Sequence, residues 1–184
     1  PDVLALNGTS YTLSVLLGRG DGTYRSVGSA SVGVSPVEFD LGDLDGDGKL
    51  DAVVANSGSF DLSILLGNGD GTFQPPRESP CNHDPAGVVI ADMNHDGKSD
   101  IVVSIASETG GEVNVLLGNG DGTFNFDPEE QARRLVGPCY GVQVGRLDAD
   151  DDLDVAAVTT DGQLSILIGD GTGHLARPVS QPTG

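Results

Sequence analysis

Three stretches of alternating carboxylates hold most of the chemistry this chain could do. The first, Asp43-Leu-Asp-Gly-Asp-Gly-Lys-Leu-Asp51, places acidic side chains at positions 1, 3, 5 and 9 of a loop. A hard divalent cation takes 6 to 8 oxygen ligands at about 2.3–2.6 Å, and alternate residues of a tight turn can converge on one point. Asp43, Asp45, Asp47 and Asp51 supply carboxylates, and the Lys49 carbonyl is expected at position 7. Gly46 and Gly48 permit the positive φ angles that such a wrap demands.

The second stretch offers Asp92, Asn94, Asp96, the Lys98 carbonyl and Asp100. His95 stands at the first glycine position and reads as a turn residue, since His is enriched at positive φ. The third stretch runs Arg146, Asp148, Asp150, Asp152, Asp154, with Ala149 and Asp151 where the others have glycine or His. Its guanidinium is expected to pair with neighbouring carboxylates and leave a weak or empty metal site. Any one such loop could be a solvated acidic turn, but two full matches at a fixed period favour a bound cation. Without metal, carboxylates about 4 Å apart repel by about 1 kcal/mol per pair even in water. Calcium at the first two loops is therefore expected to stabilise the native form. A helix-loop-helix calcium site is excluded, because Val54 stands where a twelfth-position Glu would and the residues after Asp51 read as strand.

These loops must be held by strands. Leu50 to Ala55, Leu62 to Leu66, Ile101 to Ile105 and Val113 to Leu117 are short β-branched or apolar runs. Asn-Gly and Asp-Gly turns follow, as in Gly67-Asn-Gly-Asp-Gly-Thr-Phe73. Asp2, Asp51, Asp100 and Asp154 lie 49, 49 and 54 residues apart, and Gly18, Gly67, Gly118 and Gly169 lie 49, 51 and 51 apart. The extra residues fall at 107–112 and 127–135, between strands, where a repeat fold tolerates insertion. A period near 50 with four strands per unit is that of a propeller blade. The expected fold is all-β: antiparallel four-stranded blades, about 3.75 repeats, forming an incomplete or open ring. The units are 1–29, lacking its first strand, then 30–78, 79–128 and 129–184.

Composition agrees and excludes other classes. In 184 residues, 28 Gly and 10 Pro with no Trp argue against long helices. A net charge of -19 disfavours nucleic acid and anionic lipid as partners, and no apolar run is long enough to insert in a membrane. The opening Pro-Asp-Val-Leu has no secretory leader pattern and reads as a chain whose signal is gone. Cys81 and Cys139 sit at different offsets in their units, leaving one bridge or two free thiols open. His83, His95 and His174 fall at unrelated offsets, no nucleophile elbow or zinc-protease helix occurs, and the chain is not expected to be an enzyme. His83 and Asp84 near Cys81 are the one polar cluster worth a hydrolase test. Asn7-Gly8-Thr9 fits the glycosylation pattern.

The segments Gly42 to Asp51 and Leu65 to Phe73, with their partners Ala91 to Asp100 and Leu116 to Phe124, resemble the FG-GAP or VCBS repeat family. That family includes the integrin α-subunit head and some fungal and bacterial lectins. The resemblance implies a β-propeller with Ca²⁺ in the hairpin between the first and second strands of a blade, at Asp43 to Asp51 and Asp92 to Asp100. It also implies an extracellular or cell-surface binding or adhesion module that recognises protein or glycan through inter-blade loops. The alternative is a structural subunit of a fibre or multi-chain assembly. There the open edge at residues 2–6 would accept a strand from another chain, or the segment Leu175 to Thr183 of a neighbouring copy.

Overall fold

A computed structural model describes residues 1–81, 83–107, 110–125, 132–135 and 137–182. The described residues contain sixteen strands and no helix, in four antiparallel sheets. The first holds β1 (Val3–Asn7), β2 (Thr12–Gly18) and β3 (Tyr24–Ser31) in that order. The second holds β4 (Pro36–Gly42), β5 (Asp51–Asn56), β6 (Asp61–Leu65) and β7 (Arg77–Pro80). In the third, β8 (Asp84–Ala91), β9 (Asp100–Ala106) and β10 (Glu112–Gly118) are followed by two short strands, β11 (Phe124–Asn125) and β12 (Ala132–Arg134), both paired with β10. The fourth holds β13 (Cys139–Gly145), β14 (Asp154–Thr159), β15 (Gln163–Leu167) and β16 (Val179–Pro182).

The third sheet thus differs from the expected four strands. Two short described strands, β11 and β12, stand where one was expected; residues 126–131 between them, and 108–109 of the other expected insertion, lie outside the described residues.

Sheets stack face to face, and this explains the apolar runs. In β5, Val53 and Ala55 enter one core cluster with Ile101, Val103 and Ile105 of β9, while Ala52 and Val54 enter another with Leu13. Val102 of β9 turns to a third cluster with Val113, Val115, Val142 and Val155. Strands buried on both faces cannot alternate apolar and polar, so they read as continuous hydrophobic segments. Among the described residues, the clusters joining the second sheet to the third and the third to the fourth have 11 buried members each; the one joining the first to the second has 4. Fully burying a Val, Leu or Ile is worth about 1.5–3 kcal/mol, so the first sheet is the least firmly held.

Candidate metal centre

Each Asp-rich stretch links an edge strand of a sheet to the strand beside it: β4 to β5, β8 to β9, β13 to β14. In the first loop Gly46 and Gly48 adopt φ of 76° and 80°, which curls the chain around Asp43. Asp43 accepts the Gly46 amide on Oδ1 at 2.7 Å and the Gly48 amide on Oδ2 at 2.9 Å. Carboxylate oxygens, one each from Asp43, Asp45 and Asp51, lie within 4.8 Å of one another. An ion about 2.4 Å from each oxygen fits that spacing, and three carboxylates are the hard donors that calcium prefers.

The fourth expected carboxylate behaves differently. Asp47 accepts the Lys49 amide at 2.9 Å and pairs with the Lys49 ammonium, whose hydrogen bond is the main cause holding the Asp47 carboxyl below its ordinary value. The lysine expected to give only its carbonyl thus also neutralises a carboxylate at the rim.

The second loop repeats this wrap. Asp92 accepts the Asp96 amide at 3.2 Å and the Gly97 amide at 3.0 Å, and Asn94 Oδ1 accepts the Asp96 amide at 3.0 Å. His95 has φ 58° and Gly97 has φ 79°. His95 does more than turn the chain, because its Nε2 lies 2.9 Å from Asp152 in the third loop. Lys98 pairs with Asp96 at 3.6 Å, matching Lys49 and Asp47.

In the third loop Arg146 lies 3.4 Å from Asp151 and both are exposed, so the pairing is with an extra carboxylate and not with an alternating one. Ala149 and Asp151 are not among the residues with positive φ. It keeps the ladder that the first two loops also have, Asp148 accepting the Asp150 amide and Asp150 the Asp152 amide, each at 3.0 Å, but has no carboxylate at position 1 to take the curled amides.

The ninth-position aspartates have a role that ligand spacing did not reveal. Asp51 accepts the Leu44 amide at 2.8 Å and the Gly67 amide at 2.7 Å. Asp100 does the same for Met93 and Gly118, and Asp154 for Leu147 and Gly169. Each is at most 1% exposed and clamps its own loop to the turn that follows the next strand. Burial pushes the Asp51 and Asp100 carboxyls above their ordinary values, opposed by the accepted amides.

The glycine on the far side of each clamp is sterically required. A Cβ on Gly67, Gly118 or Gly169 would lie 2.1 Å from the carbonyl oxygen of Leu50, Ser99 or Leu153. The joint recurrence of this Asp and this Gly was the available signal.

Neighbouring sheets lock the loops together. Ser99 Oγ donates to the Asp43 carbonyl at 2.7 Å, the Gly122 amide to the Leu44 carbonyl at 3.0 Å, and the Ile90 amide to Asp40 at 2.8 Å. The Asp-Gly-Thr turns beside them are exposed Asx turns: Asp21, Asp70 and Asp121 each accept both the hydroxyl and the amide of the threonine two residues on. Those bonds, the hydroxyl first, hold the three carboxyls below their ordinary values.

Cys81 and Cys139 are free thiols, and burial with Asp61 nearby pushes Cys81 up to about 12. Asn7 Nδ2 is engaged with Ser14 at 2.9 Å and Thr12 at 3.1 Å, so a glycan there would have to displace both bonds.

The profile of the FG-GAP-like repeat matches residues 1–54 and 43–103. No curated protein sequence matches significantly. Among solved structures, a proposed 6-phosphogluconolactonase of Bacteroides uniformis superposes with TM-score 0.73 at 14% identity, over 98% of this chain and 53% of that one. BBS1N, solved in complex with ARL6DN, gives 0.62 at 13%, over 98% and 52%. An Agrocybe aegerita lectin that recognises non-reducing terminal N-acetylglucosamine gives 0.56 at 20%, over 97% and 48%. This chain spans about half the length of these structures, and at such identities the likeness concerns the fold alone.

Proposed function

We propose that this chain, which belongs to the FG-GAP-like repeat family, is a calcium-stabilised β-propeller binding module of an extracellular protein. The observation that carries this is the convergence of Asp43, Asp45 and Asp51 oxygens within 4.8 Å. It sits in a loop whose wrap recurs at Asp92 to Asp100, with Asn94 as a neutral oxygen donor. Calcium would be held by Asp43, Asp45, Asp47, Asp51 and the Lys49 carbonyl, and by Asp92, Asn94, Asp96, Asp100 and the Lys98 carbonyl. Asp47 would have to exchange its ammonium partner for the ion. Asp148, Asp150, Asp152 and Asp154 would hold calcium weakly or not at all. On this reading the four sheets are successive blades of an incomplete or open ring, units 1–29, 30–78, 79–128 and 129–184 except that β12 (Ala132–Arg134) goes with the third, and calcium ties the β4–β5 and β8–β9 hairpins.

The ligand-binding loops would lie at the strand ends away from the calcium. There Tyr11 and Phe60, at the tips of the β1–β2 and β5–β6 hairpins, are 39% and 49% exposed with φ of 53° and 57°. A bulky side chain in that region costs about 1–2 kcal/mol, whereas Gly162 takes the same region without strain in the fourth sheet. Exposed aromatic rings kept against strain suit stacking on a sugar ring or an apolar protein surface. The Agrocybe lectin and BBS1N, with a glycan and a protein partner respectively, are consistent with either ligand class.

The test pairs calorimetry in calcium and in excess chelator with glycan-array and cell-surface binding screens. Calcium should raise Tm, and Phe60→Gly should raise Tm further while abolishing any binding found. A Tm indifferent to calcium, or empty screens with the calcium-loaded protein, would sink the corresponding half of the reading. No catalytic role is assigned to any residue, and a panel of lactone, ester, phosphate and glycoside substrates should show no turnover.

A further inference from the structure

Among the described residues, three of the four non-glycine residues with positive φ stand at one junction. Tyr11 (53°), Ser35 (52°) and Phe60 (57°) lie where the first sheet meets the second, and the fourth, His95, lies in the second Asp-rich loop. Backbone strain of this kind collects at functional surfaces.

The backbone at these tips has a task that needs no aromatic ring. Tyr11 and Phe60 immediately precede β2 and β6, and their carbonyls accept the amides of Val32 and Cys81 at 2.9 and 2.7 Å. Gly111 immediately precedes β10, and its carbonyl accepts the Leu135 amide at 2.7 Å with no side chain present. Anchoring the chain therefore does not account for a ring at either tip.

The segment between the two sheets joins the tips. From Val32 on Tyr11 it runs to Val34 and Ser35, whose carbonyls accept the Gly58 and Ser57 amides at 2.9 and 3.0 Å. Ser59 Oγ accepts the Val34 amide at 3.0 Å. Gly58 lets the segment lie close, since a Cβ there would be 2.9 Å from both Val34 Cγ1 and Ser35 Oγ. The result is a strip of exposed Tyr11, Val34 and Phe60 edged by the hydroxyls of Ser35 and Ser59.

This strip is neutral. Residues 7–11, 32–35 and 57–60 include no Asp, Glu, Lys or Arg, in a chain of which 20% is charged. Asp61, next to Phe60, accepts the Asn56 Nδ2 donor at 2.7 Å. The corresponding tips elsewhere are charged: Asp161 is exposed in the fourth sheet, and Glu112 pairs with Arg134 at 3.4 Å beside the tip of the third.

We infer that this strip is a binding site for a neutral saccharide, with Tyr11 and Phe60 stacked on the C–H faces of pyranose rings and Ser35 and Ser59 bonding to sugar hydroxyls. The inference rests on the binding-module reading above and narrows its ligand class. Aromatic faces beside uncharged hydroxyls match a ligand that is itself uncharged, hydroxyl-rich and apolar on its ring faces. A protein partner steered to a chain of net charge -19 would bring basic side chains, and the strip offers them no carboxylate but Asp61, already engaged by Asn56.

The test titrates the calcium-loaded chain with methyl glycosides and disaccharides of glucose, galactose and mannose, and with glucuronic and sialic acids, following backbone amide shifts by NMR. At least one neutral saccharide should bind with a millimolar or lower Kd, with shifts confined to residues 11, 32–35 and 57–60. Its Kd should change less than about twofold between about 0.05 and 0.5 M salt. Phe60→Gly and Tyr11→Gly should each weaken binding at least about fivefold while raising Tm, so that lost binding is not lost folding. Tighter binding of the acidic sugars, shifts confined to other residues, or full affinity in Phe60→Gly would overturn the inference. A protein ligand found on these residues while every neutral saccharide fails would overturn it and leave the binding-module reading standing; failure of the saccharides and of the cell-surface screens together would end both.

Discussion

The loops Asp43–Asp51 and Arg146–Asp154 occupy the same place in their sheets, yet only the first curls two amides onto a position-1 carboxylate and brings oxygens of three carboxylates within 4.8 Å among the described residues. Both keep the clamp, with amide distances of 2.8 and 2.7 Å at Asp51 and 2.6 and 2.9 Å at Asp154. What differs is the wrap. Gly46 and Gly48 take positive φ and point two amides at Asp43; Ala149 and Asp151 do not, and Arg146 puts a cation where that carboxylate would stand. Holding the strands together and gathering carboxylates around one point are therefore separable, joined only through the ninth aspartate.

The harshest test of the shared part is Gly67→Ala beside Gly169→Ala. Each adds a Cβ 2.1 Å from a backbone oxygen, and each should destabilise by more than about 4 kcal/mol or prevent folding, as read by denaturant titration. If either is mild, the clamp is looser than its geometry. Next come Asp51→Ala and Asp154→Ala, which strand two amide donors apiece. In chelator both should lose about 2–5 kcal/mol, and in calcium only Asp51→Ala should lose more. A harmless Asp154→Ala would mean that the clamp serves metal alone.

Rebuilding the third loop as Arg146→Asp, Ala149→Gly, Asp151→Gly should add one calcium per chain by titration calorimetry, with about 2.7 kcal/mol of stabilisation at 100-fold saturation. An unchanged stoichiometry would place the defect outside those three residues.

The smallest effect concerns protons. Asp51 and Asp100 have folded-state values raised mainly by burial, so without metal the folded protein holds the extra protons. Their contribution is fully present below the ordinary value of 3.8 and is lost as pH rises through the raised values. Asp21, Asp70 and Asp121, lowered by their threonines, contribute above 3.8 and lose that as pH falls through the depressed values. Carboxyl NMR titration in chelator should find the first pair above 3.8 and the second group below it.

Where a feature was legible in the sequence, its cause was local. The Asp-Gly-Thr turns, the φ-positive glycines and His95, and the apolar strands β5 and β9 follow from residues a few positions apart. The site was legible as a set of oxygen donors, but the turning of Asp47 toward Lys49 was not, because ligand spacing says nothing of competition from a neighbouring ammonium. Nor was the splitting of the last strand of the third sheet, since an insertion's length does not fix where pairing resumes.

By itself the sequence determined the period, the strand-loop-strand order and the carboxylates, since turn chemistry and side-chain alternation act over a few residues. Only the tertiary structure decided which amides those carboxylates accept. Asp51 reaches Gly67 within its own sheet over 16 residues, and across stacked sheets Asp40 reaches Ile90 and His95 reaches Asp152, over 50 and 57 residues. No local propensity encodes such pairings, which form only when the packing of one sheet on the next brings the groups within hydrogen-bonding distance.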